Sequence, residues 1–323
     1  MSVFRWSDIK DAVFPAASGS ARAIINSGSG KLEAYGTEKP ADGVAGFATG
    51  STFKDTDAGK VYVNKGTNTS CLFKEVGTIA AVGTASGIGP SPLIWDDVSM
   101  LDAILNPQDY IYFFDDFLGP IDVTTADGWT LTQVDTKGSI APNTTVQGGV
   151  LTVTSATGDS ADDGINAQLT NCLFKPAAGV TIRFEARIKV SDATQQWYVG
   201  LAGIDTTLIA AGIADDVVDK AGFYHMAAST DNKVSTIVSR TSVQDETADV
   251  AGMTDNTFVK VGFVIEGLTS IKFYVNGVLV ETGVTANTLP NAVMCLSFVA
   301  QYESADEVLS VDWVRILQEG GRI

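Results

Sequence analysis

The run RFEAR sets Arg183, Glu185 and Arg187 at every second position. In an extended strand this spacing turns all three side chains to one face of a sheet. The expectation from the residues is a ladder of ion pairs with neighbouring strands on a solvent-facing sheet. The single histidine, His225, directly follows Tyr224 in GFYHMAAS, so alternation sends the two to opposite faces. One histidine and three scattered cysteines, Cys71, Cys172 and Cys295, supply neither a multi-His zinc centre nor a short metal-type spacing. Buried free thiols are the expectation for the cysteines. The chain contains no G-x-S-x-G nucleophile elbow, and Lys233 and Arg240 stand too isolated to cradle a phosphate.

Calcium is the one ion the composition favours, because paired aspartates at 115–116, 162–163 and 215–216 offer hard oxygen ligands. Adjacent residues on a strand face opposite ways, so a pair is not by itself a site. The loop-like TGDSADDG could wrap an ion with Asp159, Asp162 and Asp163; solvated acidic loops are the plainer alternative. A structural calcium is thus the only cofactor that enters the expectation. Glycan binding needs exposed aromatic rings beside planar polar groups, and QQWYVG offers Trp197 and Tyr198 with Gln195 and Gln196. Since the two rings are adjacent, one faces a core and the other faces outward. Trp129 and Trp313 read as core anchors.

These residues need strands to place them. From residue 110 onward, runs such as VTIRFEARIKV, QQWYVGLAGI, FVKVGFVIEG and VLSVDWVRILQ follow one another between turn residues. In IKFYVNGVLVETG, Ile271, Phe273 and Val275 alternate with Lys272 and Tyr274. Asn276-Gly277 then gives a type I′ turn, and Val278 and Val280 resume the alternation. Ten or eleven such strands over residues 110–323 predict an all-β, two-sheet antiparallel sandwich. Ahead of it, residues 1–46 are rich in Gly, Ser, Ala and Pro and read as an extended N-terminal arm that folds against a neighbour. Its anchoring candidates are Phe4, Trp6, Phe14, Arg22, Ile24 and Ile25. Residues 47–77 predict a small β-meander, and residues 78–109 a linker carrying one short helix, with Ile94, Val98, Leu101 and Leu105 on one face and Pro107 ending it.

Three local features resemble the concanavalin-A-like lectin/glucanase jelly roll: DDF with a downstream GW, the hairpin FYVNGVLVE, which resembles laminin-G-like members, and the closing VLSVDWVRILQ. The resemblance implies a jelly-roll fold, and members of the family often hold one structural calcium. Glucanases of this kind carry Glu-x-Asp-x-x-Glu on one strand, which puts the carboxylates on the concave face. That pattern is absent here, and QQWYVGLAGIDTT, the strand that should hold it, has no glutamate. RFEAR also resembles the Arg-x-Glu-x-Arg of jelly-roll alginate lyases, which implies neutralisation of a uronate and a Tyr/His pair for proton transfer. The Gln-Ile-His strand of that family has no match, and Tyr224 and His225 face apart. Finally, GSTFKDTDAGKVYVNKG resembles a short module of phage virion proteins that precedes a larger domain.

The net charge of −17 is uneven: residues 1–110 carry 9 Lys/Arg against 12 Asp/Glu, and residues 111–323 carry 12 against 26. So acidic a surface repels nucleic acid. MSVFRWSDIKDAVF has no long apolar stretch of a signal peptide, and no run of 18 apolar residues exists to span a membrane. The expectation is therefore a non-enzymatic phage virion protein. The first reading is a head decoration or cement protein, docked on the major capsid protein or another virion protein through its arm. It would be a homo-oligomer, a trimer or dimer, made in the host cytoplasm and projecting an acidic jelly roll from the head surface. The alternative is a tail- or head-fibre module that binds a host surface glycan. A divergent polysaccharide lyase is the remote third reading.

Overall fold

The computed structural model describes residues 22–26, 31–36, 38–55, 60–78, 89–95, 98, 100–118, 128–134, 138–143, 145, 148–155, 163–206, 208, 218–226, 232–241, 243–283, 288–302 and 307–320. The chain divides into two compact units, Met1–Gly83 and Thr84–Ile323.

The first unit is a five-stranded sheet in the order β1 (Arg22–Asn26), β2 (Lys31–Gly36), β3 (Thr52–Asp55), β4 (Lys60–Asn64), β5 (Phe73–Thr78). All its pairings are antiparallel except β2 with β3, which run parallel. The meander is present as β3–β5. The arm differs in part from the expectation: Arg22–Asn26 and Lys31–Gly36 are strands of this sheet, with backbone groups that pair within the chain. Arg22, Ile24 and Ile25 fall in β1; Phe4, Trp6 and Phe14 lie outside the described residues. Ala34, Phe47, Phe53, Cys71 and Phe73 form a small core. Asn64, fully buried, stitches the loops around it: its amide donates to the Phe47 carbonyl (2.6 Å) and its oxygen accepts from Gly66 and Leu72 N–H (2.8 Å each).

The second unit is an antiparallel jelly-roll sandwich. It opens with two short helical segments, α1 (Pro92–Trp95) and α2 (Met100–Leu105), where a single helix was expected. Ile94 and Val98 turn inward as the spacing requires, but beyond them Ala103 is buried and Leu105 is 64% exposed, so the apolar stripe does not continue. Among the described residues fifteen strands follow in two sheets. They are β6 (Tyr110–Asp115), β7 (Trp129–Val134), β8 (Ser139–Pro142), β9 (Leu151–Thr154), β10 (Gly164–Leu169), β11 (Thr181–Val190), β12 (Gln196–Ala202), β13 (Lys220–His225), β14 (Lys233–Arg240), β15 (Val243–Gly252), β16 (Val259–Glu266), β17 (Ser270–Val275), β18 (Val278–Gly283), β19 (Cys295–Gln301) and β20 (Val308–Glu319). A seven-stranded sheet runs β15-β14-β13-β12-β19-β10-β7. An eight-stranded sheet runs β18-β17-β16-β11-β20-β9-β8, with β6 also paired to β20. The long β20 serves two neighbours on one side, β9 along Val308–Val311 and β6 along Val314–Glu319.

Between the sheets the alternate residues interdigitate. Phe184 stacks on Phe263 (centroids 4.8 Å apart), Phe223 meets Phe273 edge-on (5.2 Å), and Trp129 lies against Phe298 (5.7 Å). The β17–β18 hairpin follows its expected alternation. Ile271, Phe273 and Val275 enter the core, while Tyr274 packs on the other face with Ile94 and Trp95. Asn276 and Gly277 hold positive φ of 51° and 74°, as a type I′ turn requires. Past the turn, Val280 packs on the core but Val278 is 53% exposed, because β18 is a sheet edge.

Candidate functional site

Each sheet has an outer face, and the two are built differently. On the seven-stranded sheet, Trp197 of β12 points into the inter-sheet core and Tyr198 points outward, as adjacency requires, but both are fully buried and Gln196 is 5% exposed. The expected glycan contacts at Trp197, Tyr198 and Gln196 are thereby corrected: none presents a surface. The cause is a notch made by two glycines paired across β12 and β13. A Cβ on Gly222 would lie 2.8 Å from the Tyr198 ring, and one on Gly200 would lie 2.8 Å from its hydroxyl. The ring fills that notch, and its hydroxyl donates to the Leu201 carbonyl (2.8 Å).

Residues just beyond β12 cover the same face. Gln168 of β10 donates to the Gly203 carbonyl (3.1 Å) and accepts from Asp205 N–H (3.0 Å), and Leu208 is buried with Tyr198, Tyr224, Ile237 and Val299. The outward residues of β12 are Gln196, Tyr198, Gly200 and Ala202, so this strand offers no carboxylate. Burial holds the Tyr198 hydroxyl protonated well above its ordinary range. Tyr224 is raised as well, by burial and by its bond to Glu246 (2.7 Å). His225 lies on the Trp197 side with Nδ1 2.8 Å from the Lys233 carbonyl, apart from Tyr224 as alternation demands. Near this face Cys172 and Cys295 share a hydrogen bond. The contact lowers the Cys172 pKa and raises that of Cys295, and the Cys295 Sγ lies 3.3 Å from the Ala202 carbonyl, to which its single S–H can alternatively donate. Asp163 is buried, and Asp159 and Asp162 lie outside the described residues. Among the described residues no group of three or more His, Cys, Asp or Glu side chains is placed to hold a metal.

On the eight-stranded sheet, RFEAR does put Arg183, Glu185 and Arg187 on one outer face. The ends of the run form the expected ladder: Arg183 pairs with Glu319 and Arg187 with Asp312, both across to β20. Its centre differs. Glu185 is 1% exposed because residues 89–95 lie over it as a strap. Its carboxylate accepts Ser91 N–H (2.9 and 3.2 Å) and the Trp95 indole N–H (2.8 Å), while Lys260 donates to the Gly89 carbonyl (2.8 Å). Burial raises the Glu185 pKa and lowers that of Lys260. The strap has a close fit, since a Cβ on Gly262 would lie 2.6 Å from the Ile94 side chain.

Beside the strap lies a cleft of about 500 Å³, lined by Gly89, Pro90, Phe114, Asp116, Gly148, Val150, Arg187, Phe258, Asp312, Trp313 and Arg315. Its size is that of a small-ligand site (roughly 300–1,000 Å³). Phe114 is 44% exposed and sits directly across from Arg315 in the β6–β20 ladder. The Arg315 guanidinium lies between two rings, 5.2 Å from Trp95 and 5.5 Å from Phe114. Arg187 lies on the Phe258 ring at 4.1 Å while paired to Asp312. Gly149, at φ 72°, lets the rim approach closely, because a Cβ there would meet the Asp116 carbonyl at 2.2 Å. Trp313, expected as a core anchor, instead lines this cleft. The readable signal was the alternation in VDWVRIL, which puts Trp313 and Arg315 on one face together with Arg187 across the ladder.

No protein-family model matches the sequence, and no curated protein matches it. Solved structures of similar fold include Bacillus licheniformis β-glucanase, at 15% identity, covering 64% of this chain and 97% of its own, with a TM-score of 0.46. Peanut lectin is similar at 10% identity, covering 65% of this chain and 97% of its own, with a TM-score of 0.47. An endo-β-1,4-glucuronan lyase from Trichoderma reesei is similar at 12% identity, covering 65% and 95%, with a TM-score of 0.44. At such identities and scores the likeness says nothing of substrate or chemistry.

Proposed function

We propose that this chain is a carbohydrate-binding jelly-roll module that carries out no hydrolysis or elimination of its own. The cleft on the eight-stranded sheet carries the reading. A sugar ring has an apolar C–H face and an edge of hydroxyls. The exposed ring of Phe114 and the ring of Phe258 suit the first, and the donors of Arg187 and Arg315 with the acceptors of Asp116 and Asp312 suit the second. Against catalysis, glycoside cleavage uses two carboxylates flanking the bond. The outward side of β12 holds none, and its neighbourhood is filled by Tyr198 and Leu208. The test is a glycan array probed with the full chain, followed by titration of any retained sugar against Phe114→Ala. The expected result is retention by the wild type and a loss of tenfold or more in the variant. An array that retains nothing on the wild-type chain overturns the reading.

How the module is carried is a second part of the proposal, favoured by the separate first unit with its own sheet and core. The sequence of β3 and β4 resembles a phage virion module, so this unit suits attachment to the major capsid protein or another virion protein. The second unit would then meet glycans at a particle surface, in an oligomer. Mixing full-length chain, and chain lacking residues 1–83, with undecorated particles tests it. Equal binding by both sinks this carriage, and so does binding by neither.

A further inference from the structure

We infer that the sugar held in the cleft is acidic, its carboxylate seated against Arg315; this rests on the glycan-binding reading above. The outer face of the eight-stranded sheet presents six basic side chains whose surroundings are described. Arg183 is paired to Glu319, Arg187 to Asp312 and Lys272 to Glu266, and Lys260 is bonded to the Gly89 carbonyl. Lys189 and Arg315 have no carboxylate partner among the described residues; Lys189 sits 5.2 Å over the Phe258 ring at the end of its strand, and Arg315 is the more enclosed of the two, held between rings in the cleft. It donates to the Tyr112 hydroxyl and lies between the rings of Trp95 and Phe114, but among the described residues it has no carboxylate within 4.0 Å. Its Nε is buried without a hydrogen-bond partner. The ladder even sets a carboxylate directly opposite, since Glu185 pairs with Arg315 in register. That carboxylate is committed to Ser91 and Trp95 of the strap instead.

A half-buried guanidinium walled by two rings gives up hydration without regaining it from an anion. The flanking rings attract the cation weakly and leave its edge as a set of directed donors. A carboxylate matches those donors in a bidentate way that a hydroxyl does not. Asp116 fixes the orientation. It follows Phe114 by two residues, roughly 7 Å along the strand direction, and it also lines the cleft. Its negative charge excludes the ligand's carboxylate from that end and accepts hydroxyls there, which leaves the acid group at Arg315.

The experiment is calorimetric titration of the full chain with matched pairs of tetrasaccharides, each a glucuronate oligomer beside the glucose oligomer of the same linkage. A charged, bidentate contact predicts that the acidic member of the preferred pair binds about tenfold more tightly or better. In Arg315→Gln the ratio falls to about one. Arg315→Lys, which keeps the cation and most of the packing between the rings, retains part of it. Lys272→Gln, on the same sheet but outside the cleft, keeps the full ratio. Thermal unfolding of each variant identifies any that fail to fold, and Arg315→Lys then decides. If the wild type binds both members of a pair equally, the acidic inference falls and the glycan reading stands. If it binds neither member of any pair and the array is also blank, the glycan reading falls with it.

Discussion

Glu185 and Tyr198 are both buried polar groups on outer sheet faces, and each makes a prediction. Burial raises the Glu185 pKa above its ordinary 4.5, although bonds from Ser91 and Trp95 and the charge of Lys260 oppose the rise. Below 4.5 the group is protonated both folded and unfolded. As pH rises from there to the raised value, the unfolded chain releases its proton first, so the wild type loses stability through this group over that window. Urea unfolding of the wild type and Glu185→Gln at pH 4 and pH 7 should show the wild type losing ground to the variant on going to pH 7; no change in their difference would contradict it. At Tyr198 the notch is the testable feature. In Gly200→Ala the new Cβ would lie 2.4 Å from the Ala221 carbonyl oxygen as well as against the hydroxyl. Backbone cannot yield as a side-chain tip can, so the expected cost is about 1–3 kcal/mol or more, read by denaturant unfolding.

At the scale of elements, edges decide what the sheets do next. β15 is an edge of the seven-stranded sheet and almost entirely exposed. Asp245, Glu246 and Asp249 line it, Asp249 has a positive φ of 59°, and a register shift interrupts its pairing with β14. Charge and a bulge are the means by which an edge is kept from pairing with another chain. Replacing Asp245 and Glu246 by valine should produce concentration-dependent association in light scattering. A variant that stays as disperse as the wild type would refute that role. The same strand explains part of what the sequence concealed. VQDETADVAG has no apolar alternation, because an edge exposed on both faces needs none, and so β15 was not legible as a strand. β11, β12, β16, β17 and β20 were legible, since burial on at least one face writes period 2 into them. The fold therefore read well and the site poorly. Whether an outward residue is open or covered depends on segments outside its own strand, here the strap over Glu185 and Leu208 against Tyr198, and no pattern within the strand announces such cover. The outward ring of the aromatic pair, Tyr198, is buried, and the cleft formed where RFEAR and VDWVRIL come side by side although 125 positions separate Arg187 from Asp312.

For the whole molecule, the division at Gly83 separates two cores of very different size. One rests on Phe47, Phe53 and Phe73, and the other spans the inter-sheet layer with Phe184, Phe223, Phe263, Phe273 and Phe298. Calorimetry should resolve two transitions. Phe53→Ala, removing a fully buried ring, should lower only one of them by an amount equivalent to about 3–5 kcal/mol, and Phe263→Ala only the other. A single transition moved by both substitutions would show that the units fold as one. Charge acts unevenly on the same scale: residues 1–83 carry 9 Lys/Arg against 8 Asp/Glu and residues 84–323 carry 12 against 30, so self-repulsion, which weakens with salt, should make the transition of the second unit rise with ionic strength and leave that of the first nearly unmoved.

The glycine notch has an optical consequence. Tyrosine absorbs differently once its hydroxyl ionises, and an exposed ring makes that change gradually near pH 10. Tyr198, fully enclosed with its proton engaged by a carbonyl, stays neutral for as long as β12 and β13 remain paired. In an alkaline titration its signal should therefore arrive late and abruptly, with that of Tyr224 and together with the loss of sheet structure, making these two side chains a built-in gauge of whether the sandwich is closed.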